Sequence, residues 1–176
     1  YDRVIEGMKD YYSEDKDKFV VRLKLVGNGD EKIIEQYKQM IEEYDLSEYI
    51  EILGLKTGKE LADIFEESDI ALDSMGRHRA NIFFNSSLKG KEYLARGLPI
   101  VSGVRTELDS FIEYPYYISV PPNDTPIDIK GVVDFYKEKI LSKNTQDVLE
   151  EIRKFGENQF DINLTMKPVI DFLGDE

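Results

Sequence analysis

What most limits the fold of this chain is its alternation. Short β-rich runs are separated by longer segments whose apolar residues recur every three or four positions, and a Gly, Asn or Pro marks most junctions. FVVRLKLV (19–26) places Val21, Leu23 and Leu25 on one face and Arg22 and Lys24 on the other, a strand near a sheet edge. Further strands are read at YIEILG (49–54), IAL (70–72), LPIVS (98–102) and YYISV (116–120). Between them lie helical segments. The chain opens with Val4, Ile5, Met8 and Tyr12 on one stripe, ended by the polar run SEDKDK (13–18), and a second helix carries Ile33, Ile34, Tyr37, Met40 and Ile41. A third holds Leu61, Ile64 and Phe65, and KGKEYLAR runs from a Ser86–Ser87 cap to a Gly97 stop. TELDSFI (106–112), VVDFYKEKIL (132–141), VLEEIRKF (148–155) and MKPVIDFL (166–173) complete the set, with no strand after the last proline pair. Strand–helix–strand order requires right-handed crossovers and a mostly parallel sheet covered on both faces, so the expected class is α/β and doubly wound. The 176 residues, 41% of them apolar, suit one domain spanning residues 1–176.

Charge and composition narrow the function. A net charge of −13 opposes general binding to nucleic acid or to an anionic membrane. The absence of Cys excludes disulfides, thiolate metal sites and cysteine catalysis, and one His leaves little for a transition metal. The opening YDRVIEGMKDYY lacks the regions of a secretory signal and no apolar run reaches spanning length, so an acidic cytoplasmic protein is expected.

Ligands of open α/β sheets bind beyond the carboxyl ends of the strands, which directs attention to the loops at 27–30, 54–59, 73–88 and 102–106. From Arg77 to Arg105 six basic residues (Arg77, Arg79, Lys89, Lys91, Arg96 and Arg105) face one acid, Glu92. A cationic island in so acidic a chain steers a small anion to one cleft. Ser86, Ser87, Leu88 and Lys89 open the central helix, whose first amides lack internal partners and whose dipole adds positive potential. That is a phosphate-binding arrangement, with Lys89 adding its ammonium and Glu92, one turn on, available to sugar hydroxyls. Each feature alone also has a plainer reading: Ser86 and Ser87 as a cap, Glu92 as a solvated carboxylate, Arg77, His78 and Arg79 as an exposed loop, and Gly27-Asn28-Gly29 as a backbone turn. No complete G-x-G-x-x-G and no G-x-x-x-x-G-K-[ST] occurs.

The order LKLVGNGD, YIEILGLKTGKELADIFEESDIAL, SSLKGKEYLARGLPIVSG resembles the C-terminal, donor-binding Rossmann domain of GT-B glycosyltransferases of the glycogen-synthase-like retaining type, the group-1 glycosyl transferases. The likeness runs over residues 1–120, and KEYLARGLPIVSG, similar to the family's E-A-x-A-x-G-x-P-V-V segment, is its most specific part. Of the family's two glutamates, Glu92 takes the second position, while the first falls on Phe84. Arg77, His78, Arg79 and the S-x-L-K-x-x-E-Y start at Ser86 resemble a subset of the family. The resemblance implies a diphosphate on the amides of Ser87, Leu88 and Lys89 with Ser86 alongside, ribose on Glu92, the base near Gly54 and Leu55, and Gly27, Asn28 and Gly29 lining the same cleft. Lys89, Arg77 and Arg79 would stabilise the leaving diphosphate, and His78 would join the phosphate loop.

It further implies a nucleoside-diphosphate sugar as donor, a glycan or lipid-linked acceptor, and no required cofactor or metal. Polysaccharide or glycoconjugate assembly would be the setting, in the cytoplasm or peripherally at the inner face of the membrane. The family's second Rossmann domain, and the strand with a basic glycine-containing loop that normally opens this one, do not appear in these residues, so the piece alone is expected to be inactive. The helices of residues 145–176 are expected to pack back on that N-terminal domain. Two rivals remain: a nucleotide-sugar epimerase of the same architecture, and a non-catalytic α/β binding module.

Overall fold

A computed structural model describes residues 1–14 and 19–174. Of the polar run expected to end the first helix, residues 15–18 lie outside the described residues. The observed class is α/β with parallel strands. In chain order the elements are α1 (Asp2–Glu14), β1 (Leu23–Val26), α2 (Glu31–Glu43), β2 (Ile50–Gly54), α3 (Gly58–Glu66), β3 (Ala71–Leu72), α4 (Leu88–Arg96), β4 (Ile100–Ser102), β5 (Tyr117–Ser119), α5 (Ile129–Tyr136), α6 (Thr145–Phe160) and α7 (Ile162–Gly174). Short 3-10 turns occupy Arg77–Ala80 and Glu107–Ser110, and a π turn at Lys137–Leu141 prolongs α5.

The strands form two parallel groups, β1 beside β2 and β3-β4-β5. The chain moves outward from β1 to β2, returns through α3 to β3, and then moves the opposite way to β4 and β5. This reversal is the switch point at which open α/β sheets bind ligands. A cavity of about 880 Å³ lies there, bordered by β1 and β3 and floored by apolar residues such as Val4, Met8, Ile129 and Val133.

Two apolar cores sandwich the sheet. One joins α1, α2, α5 and the β1–β2 pair through Ile5, Met8, Ile41, Leu46 and Ile127. The other joins α4, α5, α6 and the β3–β5 group through Leu94, Ile100, Tyr116, Val148 and Ile152. Arg3, only 1% exposed, ties α1 to the loops beyond the strands by donating to the carbonyls of Met75 (2.8 Å), Pro121 (2.9 Å) and Thr125 (2.8 Å). Gly156 of α6 meets Leu94 of α4 so closely that a Cβ there would lie 2.8 Å from the Leu94 Cβ. α6 therefore belongs to this domain's own core, and within residues 145–176 it is α7 that leaves its apolar side chains exposed, among them Ile162, Leu164, Ile170 and Phe172.

Candidate functional site

The loop after β1 and the loop after β2 are joined by a bond from the Gly27 amide to the Gly54 carbonyl at 2.8 Å. Both glycines have positive φ, +126° and +67°, and a Cβ at either would meet no atom within 4 Å. The backbone is thus bare on the side facing open space, as close approach by a ligand requires. Asn28, Gly29 and Leu55 flank these turns and are exposed.

Across the switch point, Ser87 caps α4 by accepting from the Gly90 amide at 3.3 Å. Its hydroxyl is buried and donates to Asp73 Oδ1 at 3.1 Å, so Ser87 presents its cap and the first amides of α4 rather than a free hydroxyl. Leu88, the first residue of the helix, is 83% exposed. Lys89 and Glu92 line the large cavity together with Gly27, Tyr1 and Lys56. Tyr93 reaches from the same helix toward the Leu72 carbonyl, 3.4 Å from its hydroxyl, and burial pushes its phenol pKa up, which keeps it a donor.

The basic island is largely paired. Arg79 contacts Asp2 at 2.7 Å and Asp124 at 2.7 Å, and His78 Nε2 lies 3.0 Å from the same Asp124 oxygen. Lys91 contacts Glu107 at 2.9 Å, Arg96 lies 3.7 Å from Glu92, and Lys89 lies 3.4 Å from Asp73. Ser86 donates to Glu107 and accepts from Lys91, which places it on the outer side of α4 away from the cavity lining. Burial raises the Glu107 carboxyl pKa, but the hydrogen bonds from Ser86 and Lys91 hold it below the usual range. Among the described residues, Arg77 and Arg105 have no carboxylate within ion-pair distance, and both are exposed. The island therefore supplies less free positive charge than its sequence count implies.

The structure brings Gly27, Lys89 and Glu92 to one cavity, with Gly54 bonded to Gly27, and Ser87 and Lys89 both approaching Asp73 Oδ1. Arg77, His78 and Arg79 sit on a separate 3-10 turn fastened to α1 and to the loop at Asp124. Neither Asp73 nor Lys56 stands out in the sequence: a lone Asp at a strand end and a Lys after a strand carry no pattern that marks them. No group of three or more His, Asp or Glu side chains that could hold a metal ion occurs among the described residues, and none of the helices there is long and apolar enough to cross a membrane.

No protein-family model matches the chain, and no curated protein matches it. Solved structures do. HepE from Anabaena in complex with UDP superposes with a TM-score of 0.71 at 13% identity, over 99% of this chain and 45% of that one. The same protein with UDP-glucose gives 0.68 at 12% identity, over 99% and 45% of the two chains. A glycosyltransferase from Rickettsia africae gives 0.68 at 16% identity, over 97% and 42%. The chain has the Rossmann-like α/β fold of the matching part of these structures and spans less than half of their length.

Proposed function

We propose that this chain is the donor-binding domain of a GT-B glycosyltransferase that moves a sugar from a nucleoside-diphosphate sugar to a glycan or lipid-linked acceptor with retention, in polysaccharide or glycoconjugate assembly. The observation that carries this reading is the meeting of Gly27, Lys89 and Glu92 at the switch point of a sheet whose fold is shared with UDP-bound HepE.

In this reading the diphosphate lies on the first amides of α4, where unpaired N–H groups and the helix dipole favour negative charge, and Lys89 adds its ammonium. Glu92, one turn further, takes the ribose hydroxyls, and the base lies by Gly54 and Leu55. As the bond between the anomeric carbon and the β-phosphate oxygen breaks, its electron pair moves onto the nucleoside diphosphate. The acceptor oxygen bonds the same carbon and releases its proton to that phosphate oxygen. Charge therefore grows on the diphosphate, and donors already fixed in place stabilise it without reorganising, an effect worth roughly a few kcal/mol per donor. Arg77 is exposed beside this end of the sheet, and Arg79 is a charge held still by two carboxylates. A second domain supplies the acceptor site, with the exposed apolar side chains of α7 as a surface on which it rests. In the same reading a strand preceding α1 would fill only the floor of the cavity between β1 and β3, and the donor would lie at its mouth, where Gly27, Lys89 and Glu92 stand beyond the strand ends.

Calorimetry of the full polypeptide containing this chain against UDP, GDP and ADP and their sugars is the test. Binding of one of these series is expected, and silence toward all of them refutes the reading. With donor and acceptor together, a lengthened glycan is the expected product; an epimerised donor with the acceptor unchanged would instead assign the domain to an epimerase.

A further inference from the structure

Asp73 is a buried charge for which the donor-binding scheme above has no use. It directly follows β3, its amide extends the ladder by donating to the Val101 carbonyl at 2.9 Å, and the residue is 0% exposed. Oδ1 accepts from Ser87 Oγ at 3.1 Å and from Ser74 Oγ at 3.3 Å, and lies 3.4 Å from Lys89 Nζ. Oδ2 is buried and has no hydrogen-bond partner among the described residues. Burying a carboxylate costs several kcal/mol unless an opposite charge compensates it. The two serine hydroxyls do not require that charge, since a neutral amide oxygen would accept from them as well. The cation that answers it is Lys89, whose side chain is otherwise 47% exposed on a flexible stem.

We propose that Asp73 is a positioning residue. It tethers the Lys89 ammonium above Ser87 at the start of α4, so that the cation and the cap are already arranged when a diphosphate arrives. The proposal rests on the donor-binding reading and deepens it. Its sign is distinctive. A carboxylate near an anion site opposes anion binding by Coulomb's law, so removing a mere bystander would tighten binding. Removing a tether loosens it, because the ordering of a long side chain must then be supplied on binding.

The full polypeptide is titrated with UDP as wild type, Asp73→Asn, Lys89→Met and the double variant. Asp73→Asn is expected to weaken UDP binding about tenfold, the scale of the ordering of one lysine side chain. In the Lys89→Met background the same change should no longer weaken binding, since with no ammonium to hold the carboxylate is only a bystander. Tighter binding by Asp73→Asn, or an equal loss in both backgrounds, overturns the tether. If the wild type binds no nucleotide, the donor-binding reading fails; if it binds without coupling between the two residues, only the positioning role fails. Should Asp73→Asn not fold, side-chain ammonium relaxation by NMR on the wild type decides the matter. Lys89 should be more ordered than Lys32, an exposed lysine with no ion pair among the described residues, and equal mobility overturns the proposal.

Discussion

At the scale of single residues, Glu92 and the basic island show how differently two kinds of signal survive folding. The spacing of Glu92 from Lys89 sets both on one helix face, and spacing along a helix is a local property that the structure keeps: both side chains line the same cavity. Glu92 is 45% exposed, and Arg96 stands 3.7 Å away, so a ribose hydroxyl would reach a carboxylate still partly hydrated. Glu92→Ala should therefore weaken UDP binding by about 1–2 kcal/mol, toward the low end for a charged hydrogen bond. Unchanged affinity by calorimetry would take Glu92 out of the ribose contact. The charges of Arg79 and His78, by contrast, were countable in the sequence but not their partners. Asp124 lies 45 residues beyond Arg79 in sequence, and Asp2 belongs to the first turn of α1. Neither pairing leaves a periodic trace, which is why the loop reads as freer and more positive than it is. Asp73 escaped for the same reason, since burial and the approach of Lys89 are tertiary facts.

At the scale of elements, ends were more legible than lengths. α4 has the cap at Ser87 and the left-handed stop at Gly97 that its sequence announces, because both are set by the chemistry of one residue. The 19–26 run shortens to Leu23–Val26 because its first residues spend their backbone groups elsewhere. Tyr11 donates to the Phe19 carbonyl and Tyr12 to the Val21 carbonyl, each at 2.8 Å, while the Val21 amide donates to the Tyr12 hydroxyl at 2.9 Å. Alternating apolar residues predict a buried face, not where the ladder begins. TELDSFI likewise yields only a 3-10 turn, fixed by a Thr106–Asp109 capping box. At Gly97 φ is +81°, and a Cβ would lie 2.8 Å from the Leu149 carbonyl oxygen on α6. Gly97→Ala should thus cost about 2 kcal/mol in urea unfolding, from the left-handed backbone and the overlap together. A loss below about 0.5 kcal/mol would mean that α6 yields freely there.

Arg79 joins elements in a way that pH can read. Burial raises the Asp2 carboxyl pKa, but hydrogen bonds from Arg79 and from the Arg3 backbone hold it below its usual range. The Asp124 carboxyl is lowered too, by His78 and then Arg79. Carboxyls with depressed pKa values in the folded state bind protons more readily when unfolded. Their stabilisation is complete above the unfolded value of about 4 and disappears as pH falls through the folded values. Arg79→Met should therefore be less stable than wild type at pH 6, and the gap should narrow steadily as pH drops below about 4. A gap that is constant with pH would mean that Arg79 acts through packing alone.

At the scale of the whole molecule, the two groups of strands face each other across the cavity with backbone groups turned toward it. Leu23 is bonded to β2 through its amide and the Tyr49 carbonyl, so by the alternation of a parallel ladder Lys24 turns its amide away from β2. Ala71 and Asp73 donate to the carbonyls of Pro99 and Val101, which turns the Leu72 amide away from β4. Both edges, unpaired among the described residues, border the same 880 Å³ space, with Val4 and Met8 of α1 over it. Unpaired strand edges and apolar walls together are a template for one more parallel strand. If that strand leads directly into α1, the connection from it through α1 to β1 is a right-handed crossover of the usual kind. Hydrogen exchange separates the two states of the sheet. In the 176-residue chain alone the Lys24 and Leu72 amides should exchange far faster than the Leu23 and Ala71 amides beside them, whereas in a longer polypeptide that supplies the strand all four should share the protection of the core. Equal and fast exchange of Lys24 and Leu72 in both proteins, or a reading frame with no residues before Tyr1, would leave the cavity open and remove the central strand from the donor-binding scheme.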